Sequence, residues 1–434
     1  MASGAFCFFG CFSETFFVRF PRFLPHSEKG SPVPTLLLIL VMTLCFVSSS
    51  SLMAGGFQLN EHGARAVGLG GAFAARAYDP SAIYFNPAGL GFQTINQISL
   101  GTTLIFPQIT FFGPYQLNTN AETTMDSQLF TPVNFYATYH FSEDLHFGIG
   151  VYTPFGLGTK WPKDWSGKFI STKADLQSFF ISPTVAYRVS EDLSIGVGFN
   201  YVIGTVRLER AVSDPFDPHG NLILKFNAAS FGFNVGVLYK LSSDLSVGAS
   251  YRSEVGFDAT GTADFTPDRS VYPEGDAKSS LTLPATGYFG VAYSPVKNLV
   301  VEADYQYVGW SSYRELAVEF LVDKSKVVTP ENYRDTFILR LGLEYTMGDW
   351  QLRGGYFFDH TPVETKYVDP LLPDANRNGL NLGFGYRLSS NLSFDAAYMF
   401  LLINERKTVG SVYNFDGTYQ SRANLFSLSL TYGF

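Results

Sequence analysis

Beyond residue 54 the chain carries the histidines His62, His140, His146, His219 and His360, and no cysteine, because Cys7, Cys11 and Cys45 all lie earlier. Acyl hydrolysis or transfer needs a serine with an imidazole placed to take its proton. His140 comes just before the turn that leads to Leu145, and the sequence sets no nucleophile beside it. A cysteine-free stretch excludes thiol nucleophiles, disulfides and Cys-metal sites there. The GLGG piece at 68–71 has the glycines of a phosphate loop, but no strand precedes it and no Lys-Ser/Thr follows. No nucleotide fingerprint or metal-ligand spacing appears elsewhere, so neither an enzyme nor a cofactor or metal is expected. What remains is charge: Arg252, Glu302, Asp304, Arg340, Glu344, Arg353, Arg387 and Asp395 recur singly among apolar residues.

The elements that must carry those charges are period-two strands. From Leu193 the apolar Leu193, Ile195, Val197, Phe199, Tyr201 and Ile203 alternate with Ser194, Gly196, Gly198, Asn200, Val202 and Gly204. Successive side chains of a strand face opposite ways, so one face is greasy and the other small or polar. The pattern returns at 245–252, 299–307, 337–345, 350–358, 380–388 and 392–400. A soluble sandwich alternates too, but with shorter strands and fewer aromatics at their ends. Here 46% of residues are hydrophobic, 16% aromatic and only 16% charged, with 42 Phe, 25 Tyr and 41 Gly. That composition fits a barrel with an apolar outer band, aromatic girdles and a small or polar lumen. The strand charges must then face the lumen, since charge at mid-depth on the lipid face costs about 2–4 kcal/mol. Most are expected to be ion-pair struts. A net charge of −8 speaks against nucleic acid as a partner.

Turns give the count. YHFSEDLHFGIG, YRVSEDLSIGVG, YKLSSDLSVGAS, YSPVKNLVVEAD, YTMGDWQLRGGY and YRLSSNLSFDAAY each join two strands by a short polar turn. Six such turns pair twelve strands, and one strand at each end makes fourteen, with both ends on the periplasmic side. Seven longer connections of roughly 20–25 residues are expected outside, the asymmetry known for these barrels. The chain closes on NLFSLSLTYGF, with Phe426, Leu428, Leu430, Tyr432 and Phe434 on one face. Such an aromatic end is what the barrel-insertion machinery reads, and outer-membrane lipids are the expected surroundings.

Two segments precede the strands. Leu36–Val47 is an apolar run too short to span a bilayer as a helix and suited to a signal peptide, with Arg19, Arg22 and Lys29 upstream. Cleavage is expected near Ala54. Leu44 in front of Cys45 speaks against a lipoprotein, and the stretch before about Ser31 reads as an over-called start. Residues 1–54 are thus an upstream extension and signal peptide, 55–95 a plug and 96–434 the barrel. The plug alternates little, abounds in small residues and is punctuated by Asp79-Pro80 and Asn86-Pro87. A general diffusion porin needs an open lumen, which a plug denies it.

GFQLNEHGARAVGLGGAFAARAYDPSAIYFNPAGL closely resembles the hatch of the FadL-type long-chain fatty acid transporters, including the Asn86-Pro87-Ala88 signature. The likeness runs on through 153–169, 200–210, 238–261, 283–293, 305–316, 333–345 and 352–386. It implies a fourteen-stranded transmembrane barrel plugged by its N-terminal hatch, and transport without chemistry. By resemblance, a hydrophobic ligand settles in an outer groove and passes to a tighter site above the hatch. The hatch rearranges and the ligand leaves sideways through an inward kink in the third strand. The groove should draw on Phe155, Leu157, Trp161, Trp165 and Phe169, although these aromatics read equally as a self-packed loop or girdle. Gly148, Gly150 and Gly156 are the candidates for the lateral opening, since glycine weakens a strand. Phe57 matches the hatch phenylalanine that reaches into the tight site. Arg210 matches an arginine that helps bind the carboxylate headgroup. Lys326, Lys324 and Arg334 are candidate partner cations, the alternative being solvated loop cations paired with acids. Long-chain fatty acids are the expected ligands, aromatic hydrocarbons such as toluene the alternative. A monomer is expected, because lateral release needs wall facing lipid.

Overall fold

The computed structural model describes residues 55–217 and 219–434. The signal peptide, its cleavage near Ala54 and the three cysteines lie outside the described residues. Twenty strand segments form one antiparallel sheet. The first half comprises β1 (Gln97–Phe112), β2 (Glu122–Thr124), β3 (Val133–His140), β4 (Leu145–Tyr152), β5 (Gly156–Lys160), β6 (Lys173–Arg188), β7 (Leu193–Ala211), β8 (Asn221–Lys240), β9 (Leu245–Arg252) and β10 (Val255–Thr266). The second half comprises β11 (Gly275–Leu283), β12 (Thr286–Val296), β13 (Leu299–Val308), β14 (Glu315–Phe320), β15 (Lys326–Pro330), β16 (Thr336–Met347), β17 (Trp350–Asp359), β18 (Arg377–Arg387), β19 (Leu392–Lys407) and β20 (Thr418–Gly433).

These segments make fourteen staves, because some staves are interrupted. β4 and β5 both pair with β6 and form the third stave. β9 with β10, β11 with β12, β13 with β14 and β15 with β16 are likewise single staves. β2 is a short arm on the far end of β1. β1 pairs with β20 from Gln97↔Gly433 to Phe112↔Thr418, which closes the barrel and leaves no edge. The six short turns fall where the sequence places them, at 141–144, 189–192, 241–244, 297–298, 348–349 and 388–391. Gln97 and Gly433 lie at the same end of the barrel as those turns.

The longer connections differ from expectation. Only 212–220 separates β7 from β8, because these strands run for 19 and 20 residues. Their outward apolar positions stop near Ile203 and Phe231, so the remainder stands above the lipid belt. Extending the ladder satisfies backbone groups that a loop would leave to water. The lipid face is as expected: Phe426, Leu428, Leu430, Tyr432 and Phe434 are all exposed.

The interior is filled by residues 55–93, nearly all buried. They fold as two short helices, α1 (Ala64–Gly68) and α2 (Ala82–Phe85), and a 3-10 turn at Pro87–Phe92. The Asn86-Pro87-Ala88 signature now has a physical reason. The Asn86 side chain accepts from the Ala88 amide and donates to the carbonyls of Ala74 and Val237, tying turn, hatch and wall together. A Cβ at Gly196 would lie 2.4 Å from Pro87, and one at Gly236 2.1 Å from the Asn86 amide oxygen. Glycine at these lumenal positions lets the hatch touch the wall backbone.

The strand charges hold the hatch as struts. Glu344 takes Arg65, Arg76 and Arg353, and Arg353 also bonds Asp395. Asp304 accepts the amides of Phe73 and Ala74, and Glu302 that of Ala75. Arg340 donates to the Gly70 carbonyl and to Asn60. Arg252 donates to the Tyr84 carbonyl and the Tyr152 hydroxyl. Arg387 departs from the expectation that it lines the lumen. It is exposed at a short turn beside Asp349, 3.8 Å away, because β18 ends there and water solvates the guanidinium.

Candidate functional site

Above the hatch the lumen holds three adjoining cavities. The outer one, of about 800 Å³, lies between β7, β8 and the β14–β15 hairpin and includes Phe169, Lys173, Leu208, Arg210, Phe320 and Leu371. The middle one, of about 720 Å³, shares Leu208, Leu316 and Leu371 with it and reaches Phe57 of the hatch. The third, of about 330 Å³, shares Leu176, Val206, Phe226, Ala259 and Leu281 with the middle one and adds Phe257 and Leu283. Apolar side chains therefore line a continuous series from outer loops to hatch.

Arg210, next to the outer end of β7, lines the outer cavity and has no ion pair or hydrogen bond among the described residues. Its neighbours are committed elsewhere: Glu209 to Arg207 at 2.6 Å, and Lys173 to Asp175 at 4.0 Å. An unpaired guanidinium at the mouth of an apolar cavity suits an anionic headgroup with a greasy tail. Lys326 sits in the β14–β15 hairpin, 3.7 Å from Glu315, and Arg334 is 71% exposed and bonded to Glu364. Lys324 occupies a left-handed turn position and is exposed. None of these three cations lines any of the three cavities described above.

The loop aromatics divide. Phe169 is exposed and lines the outer cavity, and Leu157 lines the middle one. Trp161 and Trp165 instead stack on each other at 4.3 Å, donate to the carbonyls of Pro370 and Ser171, and pack with Phe111 and Phe415. They are the core of the outer loops and seat the 368–372 segment that carries Leu371. Phe155 is buried below, edge-on to Phe57 and Trp310. Each indole fills its volume by burial and finds a carbonyl for its N–H, which is why the pair turns inward.

Phe57 joins hatch to site. Its ring meets Trp310 at 4.6 Å and Tyr313 at 5.7 Å. Its segment is also hydrogen-bonded to the interruption in the third stave. The Leu59 amide donates to the Pro154 carbonyl and the Gly156 amide to the Phe57 carbonyl, about an isolated bridge Gln58↔Phe155. The ladder therefore breaks at 153–155, where a piece of hatch takes the place of wall. Gly148 and Gly150 lie in regular β4, where a Cβ would approach Ile83 of the hatch to 2.8 and 2.9 Å. Gly156 makes room for Leu59 in the same way.

Two residues that sequence reasoning passed over also line the middle cavity, Glu331 and Asp369, each 4% exposed. Burial, and each other's charge, push the Glu331 carboxyl well above the usual carboxylate range. Burial pushes Asp369 up to about 6, against the amides of Leu371 and Leu372 that favour its anion. Both stand in connections without periodicity, where no pattern marks a residue as inward. Two of the histidines pack inside the barrel: His62 stacks on Tyr84 at 3.7 Å, and His146 bonds the Gln93 carbonyl.

Comparison with known proteins places this architecture. Residues 45–434 match the family model described as outer membrane protein transport protein (OMPP1/FadL/TodX). The long-chain fatty acid transport protein of Salmonella typhi is 25% identical, over 89% of this chain and 96% of its own. Outer membrane protein P1 of Haemophilus influenzae is 26% identical, over 91% and 98%. Among solved structures, a Pseudomonas aeruginosa FadL homologue superposes with a TM-score of 0.79 at 22% identity, covering 88% of this chain and all of that one. The Pseudomonas putida toluene transporter TodX gives 0.70 at 19% identity, covering 87% and 99%. A closed fourteen-stave barrel, an interior hatch and a family match over the whole described length make this chain a member of the OMPP1/FadL/TodX family of outer-membrane transport proteins.

Proposed function

We propose that this protein carries long-chain fatty acids across the outer membrane and releases them sideways through its wall. The observation that carries the reading is Arg210, an unpaired cation at the mouth of cavities lined largely by apolar side chains. A carboxylate docks there while its chain leaves water for the apolar cavities, a gain of roughly 25 cal/mol per Å² buried. A chain that reaches the middle cavity displaces Phe57. Because the Phe57 segment bridges the break at 153–155, that displacement removes the hatch strand from the third stave and opens the wall beside β4 and β5. Gly148, Gly150 and Gly156 then line the exit. The protein acts as a monomer, with outer-membrane lipid receiving the ligand.

A second reading, uptake of aromatic hydrocarbons by the same route, is favoured by the third cavity, whose lining includes Phe226, Phe257, Leu281 and Leu283 and no charged group. Uptake of labelled oleate and toluene by cells with and without the gene separates the two. Loss of toluene uptake alone would overturn the fatty acid reading. Replacing Arg210 with Ala should weaken oleate binding roughly tenfold or more and leave toluene binding unchanged. Equal effects on both would remove its headgroup role.

A further inference from the structure

The middle cavity has the wrong charge for a carboxylate. Its buried ionisable groups are acids, and no Lys or Arg is among its lining residues. The Glu331 carboxylate has neither hydrogen bond nor ion pair among the described residues, and it meets Asp369 only as a like charge. Asp369 spends Oδ1 on the amides of Leu371 and Leu372, and the Tyr413 phenol faces the same carboxylate. The other titratable groups facing the pair are Asp175, already beside Lys173, and the phenols of Tyr313, Tyr333, Tyr413 and Tyr419. Two carboxyls in one apolar cavity do not both ionise readily, and Glu331 offers acceptor oxygens that hold no hydrogen bond among the described residues.

We propose that the middle cavity receives the ligand's polar end as a hydrogen-bond donor, an alcohol, an ammonium or a carboxylic acid carrying its proton, and turns away a bare carboxylate. The proposal deepens the fatty acid reading and rests on it for the route inward. A fatty carboxylate held at Arg210 takes one proton from solvent as it leaves the guanidinium. It crosses the threshold at Leu208 and Leu371 as a neutral acid and donates its O–H to the Glu331–Asp369 pair. The proton stays on the ligand, so the pair needs no exchange of its own. The two cavities thus read opposite ends of one equilibrium, the outer one the anion and the middle one the acid.

Calorimetry on the purified full chain in detergent at neutral pH tests this with two probes of equal chain length, oleyl alcohol and methyl oleate. The alcohol has a donor and the ester has none. The alcohol should bind roughly tenfold to a hundredfold tighter, the difference a hydrogen bond to a charged group makes. Glu331→Leu should abolish that preference and leave methyl oleate affinity unchanged, which also reports that the cavity is intact. If Glu331→Leu loses both ligands, the same ratio is read in Asp369→Asn, where it should fall. A third measurement, oleate binding at pH 8, should strengthen in Asp369→Asn, which removes the negative charge the pair carries there. Equal binding of alcohol and ester by the unaltered protein, or a preference that survives both substitutions, overturns the proposal. Failure of gene-dependent oleate uptake would instead count against the fatty acid reading, since the alcohol-to-ester ratio does not depend on it.

Discussion

Arg210 and Glu331 are both loners in a protein where most inward charges are paired, and both line the same series of cavities. Arg210 was legible because the TVRLER segment resembles a known headgroup site. Glu331 and Asp369 were not, because an acid in an irregular connection looks the same whether it meets water or leucine. Their burial has a measurable consequence. The Asp369 carboxyl is raised, so the folded protein binds its proton more tightly than the unfolded chain does. The stability this group confers is therefore full below its ordinary carboxylate range near pH 4, and is lost as pH rises through about 6. The thermal unfolding midpoint of the full chain in detergent should fall as pH rises from about 4 to about 6 and level off above. Asp369→Asn should flatten the profile; an unchanged profile in that variant would assign the effect to another group.

At the scale of elements, the staves and short turns could be read in advance because each follows a local rule, period two in the strands and a polar break between aromatics. The interruptions could not. The break between β4 and β5 exists because Gln58, nearly a hundred residues earlier, supplies the missing partner, and no local rule sees that. The bonds flank Gln58 and Phe155 as a non-hydrogen-bonded pair, the closer of the two antiparallel spacings and one compatible with a disulfide. Gln58→Cys with Phe155→Cys should therefore crosslink hatch to wall on oxidation. Ligand should still bind, since the outer cavity is untouched, but uptake should stop and return with reductant. Uptake at the original rate in the oxidised pair would show that this contact does not have to part. The stacked Trp161 and Trp165 teach a related lesson. Aromatic residues in an outer loop announce burial, and only the fold decides whether they bury against ligand or against each other.

For the molecule as a whole, an apolar core and a set of ionic and polar bonds join hatch to barrel, and Glu344 is the centre of the ionic part. It receives three arginines, two from the hatch and one from the wall. Removing one member of a buried network leaves the others uncompensated, at a cost of about 3–5 kcal/mol. Glu344→Ala should loosen the hatch while leaving the sheet closed: protease should cut within residues 55–93, and the barrel should still resist unfolding in detergent. A hatch as protected as in the unaltered protein would mean that the Asp304 and Arg340 contacts suffice alone.

The Ala64 amide donates to the Ser429 hydroxyl, across 365 residues of chain. Other hatch anchors lie on β13, β16 and β18, and on the β4–β5 break. The hatch, which precedes every stave in the chain, therefore has its receptor completed last, when β20 meets β1. Until that seam closes, the hatch is a tethered stretch of small and charged residues with nowhere to settle. Biogenesis must hold the hatch open until β20 has arrived.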